Sequence, residues 1–142
     1  MPVAVRSATP DDIPAVLDLW TRGRSVHAST ADTPEALERL LRDAPRSLWV
    51  AEREGAGVVG AVIAGWDGWR GNLYRLAVDP AHRREGIAIA LVEAAHTELR
   101  ARGARRVTAL VITEDDVATA VWRAAGYDVD DTIRRFVITL GP

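Results

Sequence analysis

Residues 76–91 constrain this chain more than any other stretch. Leu76, Ala77 and Val78 end an apolar strand pattern, which Asp79 and Pro80 stop. A polar turn through Ala81, His82, Arg83, Arg84 and Glu85 then leads to Gly86, and a long helical pattern follows. A buried strand that feeds through a tight turn into a helix is the building unit of an α/β domain. The start of such a helix carries unbonded N–H groups and roughly half a positive charge, which suits phosphate. Gly86 has no Cβ and lets backbone approach a ligand closely, Ala88 keeps the next turn small, and Arg83 and Arg84 add charge. The same residues also describe a plain helix entry with solvated arginines. Two other nucleotide patterns are excluded: there is no G-x-x-x-x-G-K-[ST], and no G-x-G-x-x-G after a strand.

Strand and helix patterns alternate over the rest of the chain. Residues 3–8 read as a short strand. Thr9, Pro10, Asp11 and Asp12 read as a helix start, with Thr as N-cap, Pro at the first position and acids in the first turn. Ile13, Val16, Leu17 and Trp20 follow with helical spacing. Residues 22–32 read as a loop, and Thr33-Pro34 opens a second helix carrying Leu37, Leu40 and Leu41. Residues 47–52 and 58–63 read as strands joined at Gly55-Ala56-Gly57. A loop over residues 65–71 precedes a strand over 73–78. The longest helix covers residues 86–102, with Gly103 as C-cap residue. A strand over 107–113, a helix over 117–125 closed by Gly126, and a last strand over 132–140 complete the pattern. Without repeat, linker or low-complexity tract, the expectation is one domain over residues 1–142.

Composition narrows the function classes. The chain has 142 residues, no Cys and 48% hydrophobic residues, enough for a core and incompatible with a disulfide scaffold, a Cys-ligated metal site or a cysteine nucleophile. No apolar run reaches the roughly 18 residues of a membrane span, and residues 1–6 lack a signal-peptide plan, so a cytoplasmic protein is expected. The net charge of −2 gives no bulk attraction to nucleic acid or acidic membrane. All the cations are Arg. No His or carboxylate spacing predicts a metal site, and His82 and His96 read as surface residues.

The run Arg83-Arg84-Glu85-Gly86-Ile87-Ala88 resembles the R/Q-x-x-G-x-G/A signature of the GNAT N-acetyltransferases. Its context is similar too: a strand ending Val78-Asp79-Pro80 in front, a long helix behind, then a strand. Asp115, Ala118, Trp122, Gly126 and Tyr127 look like that family's N-x-x-A and Y-x-x-x-G-F/Y block, and Arg6, Ala8, Thr9 and Asp12 like its opening. The resemblance covers essentially the whole chain. It implies a mixed, mostly antiparallel sheet splayed into a V, flanked by about four helices. It implies acetyl-CoA as co-substrate, with its pyrophosphate on the backbone amides of Arg83, Arg84, Glu85, Gly86, Ile87, Ala88 and Ile89. The pantetheine arm would pair with Leu76, Ala77 and Val78, and Asp115 would belong to the same cofactor site.

In such enzymes an amine attacks the thioester directly. The Val78 backbone N–H would stabilise the carbonyl oxygen as a fixed dipole. The family often places Glu as base where this chain has Asn72, which takes no proton. Tyr74 shares the face of Asn72 by strand alternation and either shuttles a proton or lines the cleft. Trp122 aligns with the family's Tyr acid, but an indole N–H releases no proton at neutral pH. Trp122 is thus a cleft wall or core. Asp115 stands where Asn is usual, with Glu114 and Asp116 beside it; the three also read as a solvated helix start. For the acceptor amine the resemblance points to His27 and Asp32 and to the loop holding Trp66, Asp67 and Trp69. The activity expected is acetyl transfer to a primary amine of a small molecule or peptide. The alternative is a non-catalytic acyl-CoA-binding or regulatory domain. The last strand has apolar residues on both faces, so it is covered on both sides or meets a partner, and a homodimer is expected.

Overall fold

The protein is described by a computed structural model that covers residues 2–23 and 32–141. Five strands form one sheet in the order β1-β2-β3-β4-β5: β1 (Val3–Ser7), β2 (Leu48–Arg53), β3 (Gly57–Trp66), β4 (Gly71–Val78) and β5 (Val107–Ala109). The first three pairings are antiparallel and β4 runs parallel to β5. Four helices flank it: α1 (Ile13–Gly23), α2 (Pro34–Asp43), α3 (Ile87–Ala101) and α4 (Asp116–Ala124). The mixed, mostly antiparallel sheet with four helices agrees with the expected class.

The sheet is buried on both faces. Val16, Leu19 and Trp20 of α1 and Leu37 and Leu41 of α2 pack with Val50 and Ala61 on one side. Ile87, Leu91, Val92, Ala95 and Leu99 of α3 pack with Val59, Val62 and Leu73 on the other. Successive β3 residues therefore enter opposite cores, and the strand reads as a continuous apolar run. It extends to Trp66, so the loop expected over residues 65–71 shortens to residues 67–70.

Two strand expectations fail. The strand expected over 107–113 stops at Ala109, and the last strand, over 132–140, is absent. Among the described residues β5 has no neighbour on its outer side, and backbone groups without a neighbouring strand cannot complete a ladder there. α1 also runs one residue past Arg22, where a loop was expected to begin.

The junction of β1 and α1 is pinned electrostatically. Pro10–Asp12 forms a 3-10 turn capped by Thr9, and the Arg6 guanidinium grips the buried Asp12 carboxylate at 2.8 and 2.9 Å. The Thr9 N–H donates to the same carboxylate at 2.8 Å. Arg6, chiefly, holds the Asp12 carboxyl below the usual range. A carboxyl with a depressed folded pKa stabilises fully above its unfolded pKa, and that contribution is lost as pH falls through the folded value. Asp12→Asn is expected to lower stability at pH 7 by about 2 kcal/mol, on the scale of hydrogen bonds to charged groups. Urea melts should show parent and variant converging as pH drops below about 4; a constant difference down to pH 2.5 would refute the assignment.

Candidate active site

The site grows from the place where β4 and β5 part. They pair only at Gly71↔Val107, Asn72↔Thr108 and Leu73↔Ala109. From Tyr74 to Val78, β4 continues with β3 on one side and, among the described residues, no paired strand on the other. The register of β3 with β4 slips between Ala61 and Ile63, a bulge, and there Arg75 takes a left-handed backbone with φ 55°. Trp20, buried in α1, donates from Nε1 to the Arg75 carbonyl at 3.1 Å, and Arg75 Nε donates to Asp32 at 2.8 Å. The bulge is thereby held from the helical layer.

Alternation then fixes which way the backbone faces. The Asp79 N–H donates to Val59 O of β3 at 2.8 Å. Neighbouring residues point their backbone groups to opposite sides, so the Val78 N–H and C=O face the unpaired side. Arg83 Nε already donates to that carbonyl, at 3.4 Å.

The turn that follows contains two left-handed residues. Asp79 caps a 3-10 turn (Pro80–His82) by accepting from Ala81 N–H at 2.9 Å. Arg84 has φ 66° and Gly86, the N-cap of α3, has φ 79°. Left-handed residues in a tight turn are the backbone pattern from which concave arrays of N–H groups are made. Among the described residues no side chain caps α3, and none comes within 4 Å of where a Cβ on Gly86 would be.

The turn is tethered from two sides. Arg22 of α1 pairs with Asp79, whose carboxyl is held below the usual range by the Ala81 N–H and by Arg22. Arg53, at the end of β2, donates to His82 Nδ1 at 2.8 Å and to Glu85 at 3.1 Å. His82 is thus a half-buried member of the tether rather than the surface residue expected. Sequence reasoning missed Arg53 because its partners lie on a different element. It also missed Gly60, which pairs with Val78 and lies under α3. A Cβ there would sit 2.9 Å from both Ile87 Cγ2 and Leu91 Cδ1, so Gly60 allows the first turns of α3 to seat against β3.

Comparison with known proteins agrees with this architecture. Residues 13–127 match the family model described as Acetyltransferase (GNAT) family. An acetyltransferase of Pectobacterium atrosepticum is 34% identical over 129 residues, 91% of this chain and 90% of that protein. The chain belongs to the acetyltransferase (GNAT) family. The fold of this acetyltransferase is that of Ard1 from Thermoplasma volcanium, with a TM-score of 0.79 at 24% identity over 92% of this chain and 85% of that one. A Mycobacterium tuberculosis protein crystallised in complex with CoA is 27% identical, with a TM-score of 0.64 over 82% and 69% of the two chains.

The side chains expected around the chemistry are less concentrated. Asn72 and Tyr74 lie on β4, and the Tyr74 ring lies close over Gly65 of β3, 3.0 Å from where a Cβ would be. Burial, aided by Asp67, pushes the Tyr74 hydroxyl pKa up. Trp122 of α4 is half-buried and packs edge-on against Tyr127, at 4.9 Å and 65°. Tyr127 stacks on His96 and meets its Nε2 at 2.6 Å, so His96 is also an inner rather than a surface residue. Burial raises the Tyr127 hydroxyl to about 12 and lowers the His96 pKa. Trp122 therefore stands in a packed aromatic group against the α3 core. Asp115 is the N-cap of α4 and accepts from Ala118 N–H at 3.0 Å.

Of the acceptor candidates, Trp66, Asp67 and Trp69 lie at the far end of β4 from Val78. Trp66 ends β3 and packs on the core, while Asp67 accepts from the N–H groups of Trp69 and Arg70 at 2.7 and 2.6 Å. Trp69 is exposed under the Arg70 guanidinium. That turn lies about 26 Å along β4 from Val78 at strand rise. His27 lies outside the described residues, and Asp32 is paired with Arg75.

The close seating of α3 is directly testable. Gly60→Ala introduces a methyl group into a 2.9 Å gap and should cost about 1–3 kcal/mol by overpacking. A thermal or urea melt reads the loss, and an unchanged midpoint would mean that α3 does not rest on this glycine.

Proposed function

We propose that this acetyltransferase moves the acetyl group of acetyl-CoA to a primary amine of a small molecule or peptide, by direct attack on the thioester. The observation that carries the reading is the Val78 backbone facing an unpaired sheet edge, next to a turn with two left-handed residues. The amides of Arg83, Arg84, Glu85, Gly86, Ile87, Ala88 and Ile89 would hold the pyrophosphate, with the Arg83 and Arg84 side chains at its rim. Glu85 would contribute its amide alone, because its carboxylate is bound by Arg53. Leu76, Ala77 and Val78 would offer the pantetheine arm a strand to pair with, in the place that β5 vacates. Residues 1–142 would act as one unit, in the cytoplasm, a setting that a chain without Cys suits.

The attacking nitrogen must be neutral, and the oxygen of the tetrahedral adduct needs a donor. The Val78 N–H would supply that donor as a preorganised dipole. Asn72 takes no proton, and Tyr74, with its raised pKa, stays neutral through the physiological range. The amine would therefore lose its proton to solvent. The departing thiolate, whose conjugate thiol has a pKa of about 8.5, would leave without a side-chain acid. Catalysis would rest on positioning and on the oxyanion donor.

Release of thiol from acetyl-CoA across a panel of primary amines tests the reaction. Gly86→Asp sets a negative charge at the turn and should weaken acetyl-CoA binding at least tenfold by calorimetry. Unchanged affinity would sink the cofactor assignment. Tyr74→Phe deletes only the hydroxyl and is expected to leave kcat/KM within about twofold across pH 6–9. A fall of the ~10²-fold size seen for general acid–base groups would make Tyr74 a proton shuttle instead.

A further inference from the structure

One guanidinium brackets the turn before α3. Arg53 is the last residue of β2, and its backbone is fixed from both sides, opposite Val3 of β1 and Gly57 of β3. From this base the side chain, 14% exposed, reaches across to the turn. Its Nη1 meets three acceptors: His82 Nδ1 at 2.8 Å and the two Glu85 oxygens at 3.1 and 3.2 Å. A guanidinium only donates, so Nδ1 accepts and the His82 ring carries its proton on Nε2. Arg53 Nε, by contrast, is buried and finds no partner among the described residues. A buried donor left unbonded is costly, so the contacts to the turn are made at the expense of the side chain's own satisfaction.

The two residues that Arg53 joins stand on either side of Arg83 and Arg84. Among the described residues only Arg75 and Arg84 combine a side chain with a left-handed backbone, at φ 55° and 66°. A Cβ disfavours that conformation, which persists only where the surroundings impose it. At Arg75 the Trp20 indole and Asp32 do so. The Arg22–Asp79 pair lies before Pro80 and anchors only the start of the turn. What brackets Arg84 is the bridge from Arg53 to His82 and Glu85.

We propose that Arg53 is a positioning residue for cofactor binding: by holding His82 and Glu85 with one nitrogen, it keeps Arg84 left-handed and sets the direction of the amides that lead into α3. The proposal rests on the reading that this turn takes the pyrophosphate of acetyl-CoA. Arg53 touches no reacting atom, so it acts on cofactor affinity and leaves the chemical step alone. Masking of the Glu85 charge does not account for the arrangement. Glu85 is 44% exposed, where water and salt already screen its charge. The shortest of the three contacts goes to a ring nitrogen that carries no negative charge, and masking gains nothing from it.

Calorimetric titration with acetyl-CoA reads the effect. Arg53→Met keeps an apolar stem without a donor and should weaken binding by about tenfold or more, the scale of one hydrogen bond to a charged group. With an amine that turns over, KM for acetyl-CoA should rise by a similar factor while kcat at saturation stays within about twofold. Arg53→Lys, whose ammonium can donate to the same acceptors, should remain within about threefold of the parent. Parent-like affinity in Arg53→Met, or a loss confined to kcat, overturns the proposal. Glu85→Ala tests the bridge from its other end and serves where Arg53→Met folds poorly. It removes half of the bridge together with a negative charge beside the turn. Positioning predicts binding weaker by about threefold or more, whereas charge masking predicts tighter binding. Tighter or unchanged affinity in Glu85→Ala overturns the positioning role. Asn tolerates the left-handed region, so in an Arg84→Asn background the further loss of Arg53 should cost less than about threefold. A full tenfold loss there would show that Arg53 does not act through residue 84. Gly86→Asp keeps this inference apart from the reading beneath it. Unchanged affinity in Gly86→Asp removes the cofactor site and this role with it. Weakened binding in Gly86→Asp beside parent-like binding in Arg53→Met removes the role of Arg53 alone.

Discussion

The early parting of β4 from β5 is the constraint on which the rest of the molecule turns. Every backbone N–H and C=O in a sheet needs a partner, and each strand that loses a neighbour leaves a row of them to be satisfied otherwise. On β4 the vacated side runs from Tyr74 to Val78, beside the start of α3. On β5 it is the stretch past Ala109 together with the outer edge. The divergence is built in rather than loose. Arg75 holds a left-handed conformation that a non-glycine residue adopts at a cost of about 1–3 kcal/mol, and the Trp20 indole and Asp32 fix it there. One bulge, stabilised from the helical layer, thus turns a sheet edge into a cleft.

The layered fold was legible because its signals are local and periodic. Thr9 and Thr33 with prolines after them mark helix starts, and the stripes of α1, α2 and α3 show their spacing directly. The turn before α3 was legible for a similar reason, since strand, Arg83, Arg84, Gly86 and helix are contiguous. What escaped was long-range. Arg53 lies just past the strand expected over 47–52, yet it ends β2 and bonds residues from another part of the chain. Gly60 reads as one more small residue in an apolar run, and only the approach of Ile87 and Leu91 gives it meaning. His96 and Tyr127 look unrelated in sequence and are hydrogen-bonded in space. The arm over 132–140 misled for the opposite reason. Its residues have the composition of a strand, but a strand exists only where another strand offers its backbone.

The charge of the site also differs from what the whole chain suggests. A net charge of −2 gives no general pull on an anion, and salt at physiological strength screens exposed charges beyond about 8 Å. Only the local arrangement matters at the turn. There Arg22 pairs with Asp79 and Arg53 with Glu85, so the two carboxylates of the turn itself are already paired by cations from other elements. Among the described residues neither Arg83 nor Arg84 meets a carboxylate. To them the N-terminus of α3 adds its partial positive charge. The tethers thus do two things at once: they hold the turn in its left-handed shape and remove the negative charge that would repel a phosphate. A turn with the same Arg-Arg-Glu-Gly sequence but without Arg53 and Arg22 would keep two carboxylates beside its amides, where they would compete with any anion for the same donors.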